Sequence, residues 1–335
     1  MFRRTLLLIL LLTGLLGIML TACHKDKTNE PMSPRFTPWS TFTPTPTPAL
    51  ETPTPALAQS SAPQPTPSPT PISSPTPTSQ HPQEVNGMPF ADFIIMDEGV
   101  KAHVREIYSN GLELGRDPHA FSKLGDSLIA NSHFLRVFDL MEPKLGTYDL
   151  GDYDYLQDTI DYYAGSFDRL GAAVRPGLNT IMVFDPKWVE NEDCLPGENM
   201  MECEIRLHNP SVMIVQLGTN DRASSLEVKY DEIVRYLIEQ GIVPILYTKA
   251  DRGGGPNNQN NEIIRAIAQK YQVPLIDFDI LAETLPDRGL KSDHTHLSVA
   301  PRFDYSDPAT FRYGDAVHNL AALIMLDAVR KTIEE

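Results

Sequence analysis

The run Ser211-Val212-Met213-Ile214-Val215-Gln216-Leu217, leading without a break into Gly218-Thr219-Asn220-Asp221, decides the fold. It is almost continuously apolar and rich in β-branched residues, as a strand buried on both faces should be. Gly, Asn and Asp then end it as turn formers. Two runs of the same kind stand at Ile242 to Tyr247 and Val273 to Phe278. Between them Leu226, Tyr230, Ile233, Val234 and Leu237 recur at helical spacing, with Gly241 as the expected C-cap. Ile263, Ile264, Ile267 and Tyr271 form a second helical stripe after a Gly/Pro/Asn loop from Gly253 to Asn258, and a last helix is expected over Ala316 to Thr332.

Strands that alternate with helices imply a parallel sheet covered on both faces, hence a three-layer α/β/α sandwich. Two shorter strands are expected near Ala120 to Leu124 and Ala172 to Arg175. In such sheets ligands gather outside the C-terminal strand ends, where loops lead into helices.

Upstream of this body the chain changes character. Phe2-Arg3-Arg4 is a basic start, Leu6 to Leu20 is apolar, and Leu20-Thr21-Ala22-Cys23 follows, the pattern of a secretory signal. A cysteine directly after small residues resembles the bacterial lipobox. That resemblance implies cleavage after residue 22, lipid on Cys23, and a mature protein held to a bacterial membrane outside the cytoplasm. From about Pro31 to Pro82 the chain is Thr, Ser, Pro and Ala, with repeats such as Thr43-Pro44-Thr45-Pro46. Such a stretch has too few apolar groups to offset the entropy of ordering, and proline favours extended polyproline II. Residues 23–83 therefore read as a tether and 84–335 as the folded domain.

The 335 residues carry 44 acidic and 28 basic side chains, a net charge of −16. All of the excess is in the body, and a field of that sign argues against nucleic acid as a partner.

Three motifs fall at strand ends. Phe121-Ser122-Lys123-Leu124 leads into Gly125-Asp126-Ser127-Leu128, with a helical pattern expected from Ile129. A serine at such a turn exposes its hydroxyl and frees its amide, as a nucleophile and an oxyanion donor require. Asp and Ser are equally ordinary N-cap residues, so the tetrapeptide alone decides nothing. At Gly218-Thr219-Asn220-Asp221, an Asn amide aimed from a strand end suits a developing oxyanion, and Asp221 suits holding the loop. Near the C-terminus stands Ser292-Asp293-His294-Thr295-His296. In a helical or turn-like loop residues three apart face the same way, so Asp293 is placed to orient His296 as a general base. His294 points elsewhere. The rival reading, a His-x-His metal pair with Asp293, finds no spaced ligand cluster elsewhere in the chain.

The three motifs in this order resemble the GDSL/SGNH hydrolase family over about 180 residues, from Gly125 to His296. The resemblance implies a flavodoxin-like sheet and hydrolysis of esters, including acetylated sugars, with no cofactor. Carried over, Ser127 is the nucleophile, His296 the base and Asp293 its orienter, with Gly125, Asp126, Gly218 and Asp221 as motif support. The oxyanion hole would comprise the Ser127 amide, the Asn220 side chain and a glycine amide. Gly177, in Arg175-Pro176-Gly177-Leu178, is the candidate glycine and Gly171 its rival. The G-x-S-x-G elbow of α/β-hydrolases is absent. The expected substrate is a small-molecule or polysaccharide ester. A non-catalytic glycan-binding module and a sugar acyltransferase are the alternatives.

Cys194 and Cys203 flank a loop-like stretch in an oxidising compartment and are expected to form a disulfide. Tyr148 to Tyr163 reads as an amphipathic helix with Leu156, Ile160 and Tyr163 inward. Leu297 to Tyr313 is longer than the family's usual connection and is expected to line or gate the substrate pocket.

Overall fold

The computed structural model describes residues 81–139, 147–252 and 258–335. The signal-like head, Cys23, the tether as far as residue 80 and loop residues 253–257 lie outside them. A small hairpin pairs β1 (Glu84–Val85) with β2 (Met88–Pro89). Helix α1 (Phe90–Phe93), strand β3 (Ile94–Ile95) and helix α2 (Glu98–Glu113) follow. The body then continues through β4 (Asp117–Gly125), α3 (Gln157–Tyr162), α4 (Met200–His208), β5 (Pro210–Gln216) and α5 (Ala223–Glu239). It ends with β6 (Val243–Tyr247), α6 (Gln259–Tyr271), β7 (Leu275–Ile276), α7 (Phe278–Leu281) and α8 (Gly314–Glu334).

One five-stranded sheet has the order β3-β7-β6-β5-β4. β4 to β7 run parallel, and β3 joins β7 antiparallel. On the outer side of β4, Gly125 bridges Val174 in parallel, its amide bonding Ala173 O and its carbonyl accepting from Arg175 N. Counting that bridge as the second parallel segment, the order across the sheet is the 2-1-3-4-5 of flavodoxin-like folds. Its switch point lies between β4 and β5. Helix α5 packs with α6, and α8 with α2 and α3, giving the helical layers of an α/β/α sandwich.

The sequence pattern explains these elements. Every residue of β5 is buried, as an unalternating apolar run requires. Leu226, Tyr230, Ile233, Val234 and Leu237 form the wholly buried face of α5, each side chain contributing about 1.5–3 kcal/mol of transfer free energy. Gly241 and Ile242 close α5 by returning their amides to Ile238 O and Leu237 O. α8 is buried on most of its surface, and its buried residues include Asp315, His318, Asn319 and Asp327 among the apolar ones. Leu156, Ile160 and Tyr163 are buried as expected, although a 3₁₀ turn over Gly151–Leu156 replaces the first part of that helix.

Three expectations need correction. No helix starts at Ile129. Ala130 N closes one turn onto Asp126 O, after which Asn131 Oδ1 takes the His133 amide and Leu135 adopts φ +61°. The apolar spacing after Ser127 therefore serves a folded loop with a short 3₁₀ turn over Arg136–Phe138. The strand expected at Ala172 to Arg175 is a single bridge, because Arg175 turns out of the sheet to Trp188 O and Glu190. The strand expected over Val273 to Phe278 is confined to Leu275–Ile276. Among the described residues no helix is long and apolar enough to cross a membrane.

Candidate active site

Ser127 is the second residue after β4 and is half-buried. The turn that presents it is built by its neighbours. Asp126 is fully buried, and its Oδ1 accepts the Leu128 amide at 3.1 Å, spanning Ser127. Gly125 allows the turn to fold back closely, since a Cβ there would lie 2.2 Å from Ile129 Cγ1 and 3.0 Å from Gln216 O.

His296 Nε2 lies 3.1 Å from Ser127 Oγ, across 169 residues of sequence. Its Nδ1 meets Asp293 Oδ2 at 2.9 Å. The spacing of Asp293 and His296 puts them on one face of a turn-like loop, as expected, and that loop is an Asx-type turn. Asp293 Oδ1 accepts the amides of Thr295 and His296 at 3.0 and 2.9 Å, and His294 takes φ +55° and stays exposed. The His296 and Thr295 amides, with the His296 ring, hold the Asp293 carboxyl well below the usual carboxylate range. Leu290 pairs with Leu297 and Lys291 N bonds His296 O at 2.8 Å, which closes the turn at its base.

Asn220 follows β5, one strand over from Ser127, and its side chain faces solvent. Its Nδ2 donates to Leu178 O at 3.1 Å, which leaves its second amide hydrogen for another acceptor. The next residue makes the same connection from below. Asp221 Oδ1 accepts both the amide and the hydroxyl of Thr180, at 2.8 and 2.6 Å, and burial raises the Asp221 pKa. The Asn220 loop is thereby clamped to the segment that carries Gly177. Gly177 stands in a turn closed by Leu178 N to Arg175 O, has φ +76°, and is exposed just beyond the Gly125–Val174 bridge. Gly171 precedes that bridge, and a Cβ on it would meet the Glu204 carboxylate at 2.4 Å. Of the two glycines, Gly177 is the one tied to the Asn220 loop.

Behind the Asp293–His296 turn sits a second carboxylate and imidazole. Asp315, in the first turn of α8, accepts Ala300 N through Oδ1, and its amide bonds Ser298 O. Its Oδ2 lies 3.9 Å from His133 Nδ1. Burial pushes the Asp315 carboxyl up to about 7 and the His133 imidazole down.

Cys194 and Cys203 form a disulfide, Cα–Cα 5.3 Å, between the loop at Asp193 and helix α4. Among the described residues, Cys194, Glu198 and Cys203 make the one trio close enough to chelate an ion, and both sulfurs are in that bond. Residues of the insertion Leu297 to Tyr313 line surface cavities of about 310 and 450 Å³ that share Ala309 and Tyr313, the larger also lined by Pro286, Asp287 and Leu290. Neither is lined by Ser127, Asn220 or His296, so these cavities do not supply the expected lining of the Ser127 site.

Sequence reasoning passed over Lys249, Asn260, Asn261 and Thr180, which fix the loops bearing Ser127 and Asn220. Lys249 directly follows the strand at Ile242 to Tyr247 and its neighbour Thr248, and a cation at a parallel strand's C-terminal end was the available signal.

No family model matches the chain, and no curated protein matches its sequence. Several solved structures resemble it distantly. An alpha/beta hydrolase enzyme from the metagenome of Lake Arreo, Spain, is 13% identical, over 64% of this chain and 96% of that one, with a TM-score of 0.40. An acetylxylan esterase from Geobacillus stearothermophilus is 15% identical, over 62% and 93%, with a TM-score of 0.40. A psychrotrophic esterase from Pseudoalteromonas sp. is 14% identical, over 62% and 99%, with a TM-score of 0.36. Overlaps this distant do not transfer an activity to the chain.

Proposed function

We propose that the chain is a serine esterase of the GDSL/SGNH type, tethered outside the cytoplasm by lipid on Cys23, that hydrolyses acyl or acetyl esters. The observation that carries the reading is the unbroken line of hydrogen bonds from Asp293 Oδ2 through the His296 ring to Ser127 Oγ, 2.9 and 3.1 Å long. An imidazole held between a carboxylate and a serine hydroxyl has one nitrogen committed as donor and the other free to take a proton.

In this reading His296 Nε2 removes the Ser127 proton as Oγ attacks the ester carbonyl. Asp293 stabilises the imidazolium that forms, and its depressed pKa keeps it ionised while doing so. The oxyanion is met by the Ser127 amide, the unengaged Asn220 amide hydrogen and the Gly177 amide. His296 then protonates the leaving alkoxide, and water repeats the sequence to release the acid and restore Ser127 Oγ. No cofactor enters any step. The basic start, apolar run and Cys23 support membrane attachment, and the Thr/Pro-rich stretch supports a spacer that lets the domain reach ester groups on extracellular polymers.

The test is hydrolysis of p-nitrophenyl acetate and longer acyl esters by the full-length protein and its Ser127→Ala variant, alongside labelling by an organophosphonate. Ser127-dependent release with labelling of Ser127 is expected. A folded wild-type protein that neither turns over ester nor takes the label would remove the enzyme reading and favour a glycan-binding module.

A further inference from the structure

We infer that Lys249 and the pair Asn260-Asn261 are positioning residues that lock the nucleophile turn and the Asn220 loop into one frame, an inference that rests on Ser127 and Asn220 acting as proposed above. The hub is the start of α6. Asn261 Oδ1 accepts Lys249 N at 2.8 Å and Asn261 Nδ2 donates to Lys249 O at 2.7 Å. A side-chain amide thus takes the place of a neighbouring strand just where the chain leaves β6, satisfying both backbone groups of a buried residue.

With its backbone held, Lys249 sends Nζ to Asp126 Oδ2 at 2.5 Å, and the two side chains are 2% and 0% exposed. The other Asp126 oxygen closes the turn around Ser127 through Leu128 N. One carboxylate therefore receives the ammonium and shapes the nucleophile's backbone. Asn260 does the corresponding work for the neighbouring loop. Its Nδ2 donates to Gly218 O at 2.7 Å and Asp221 O at 3.2 Å, the carbonyls on either side of Thr219-Asn220. Two adjacent asparagines on one helical turn thereby hold the two loops whose separation sets the distance from nucleophile to oxyanion donor.

A buried ion pair is a poor device for stability alone, since the cost of dehydrating two charges rivals their attraction and apolar residues fill such a space as well. Apolar residues would not aim the Asp126 oxygens. Stability and turnover should therefore separate when both charges are removed together.

The experiment compares full-length wild type with the double variant Asp126→Asn/Lys249→Met and with Asn260→Ala, measuring the thermal midpoint and kcat and KM for p-nitrophenyl acetate. The double variant leaves no orphaned charge, so its midpoint is expected at or above wild type. Its kcat is expected to fall by about 10- to 100-fold with KM within about twofold, as for a nucleophile displaced by a fraction of an ångström to an ångström. Asn260→Ala is expected to show the same fall in kcat at near-constant KM, with a lower midpoint because the Gly218 and Asp221 carbonyls lose their donor. A folded double variant with kcat within about twofold of wild type would overturn the inference. If the double variant loses its cooperative transition, Asn260→Ala decides by the same criterion. Ser127→Ala run in parallel separates the two levels. Ser127-dependent turnover with undiminished variants sinks this inference alone, whereas wild-type turnover that survives Ser127→Ala sinks the esterase reading and this inference with it.

Discussion

Asp293 engages His296 through both carboxylate oxygens, Oδ1 on the backbone amide and Oδ2 on ring Nδ1, each at 2.9 Å. One carboxylate thus shapes the backbone turn and orients the imidazole it carries, and the ring can swing only by giving up its bond to Oδ2. Asp293→Ala should lower kcat by about 10²- to 10⁴-fold, the range expected when an imidazole loses its orienting carboxylate. His294→Ala, at the neighbouring exposed position, should leave kcat within about twofold. Steady-state hydrolysis of p-nitrophenyl acetate measures both. Equal losses in the two variants would reassign the base.

Asn220 commits one amide hydrogen to Leu178 O, which leaves the other for a second acceptor. Asn220→Ala should reduce kcat by about 100-fold or more, with little change in KM, as for other side-chain oxyanion donors. A rise in KM at constant kcat would instead make Asn220 a ground-state contact.

Gly125 has no room for a methyl group, its Cβ position lying 2.2 Å from Ile129 Cγ1. Gly125→Ala should therefore destabilise the protein by about 1–3 kcal/mol and cost activity through the displaced Ser127 turn. Trimming the obstacle in Gly125→Ala/Ile129→Ala should recover part of the lost kcat, although the cavity left by Ile129 keeps stability below wild type. Chemical denaturation and kcat on the same samples separate the two effects. A double variant no more active than the single one would show that the clash with Gln216 O is the stronger of the two.

Asp315 binds its proton more tightly when folded, because burial lifts its carboxyl to about 7. Its contribution to stability is whole below the unfolded value of about 4 and drains away as pH rises to about 7, by at most about 4 kcal/mol. Asp315→Asn removes that drain and can keep the bond from Ala300 N. It should raise the midpoint at pH 8 and change it little at pH 4. His133, whose pKa is lowered, has the opposite slope as pH falls, so each variant is compared with wild type at the same pH. An equal effect of Asp315→Asn at both pH values would locate its role in packing alone.

The sheet was legible because β5, β6 and the short β7 lie in unalternating apolar runs, and the site because Ser127, Asn220 and the Asp293–His296 turn all sit in short motifs of turn-forming residues. What escaped depends on distance along the chain. Lys249 meets Asp126 across 123 residues, and a lone lysine in sequence reads as a solvated charge. The helix expected from Ile129 failed on a different ground. Its apolar spacing is real, but Asn131 and an Asn319 side chain that captures Leu135 N draw the backbone into a loop. β3 is two residues long and is defined by β7 beside it; Ile94-Ile95 are strand-favouring residues, but the run is too short to announce a strand by itself.

That edge strand has a mechanical meaning. Any pull arriving from upstream of His81 enters the sheet through the chain leading to β3, whose hold on β7 is two residue pairs and the Asp277 N to Phe93 O bond. Ser127 follows β4 at the opposite edge, four strand spacings or about 19 Å away. β3 is then the first strand of the sheet that such a load reaches, after the bonds that tie Glu84 O to Tyr153 Oη and Asn86 Nδ2 to Phe311 O, and the strand that aims the serine lies farthest across the sheet from it.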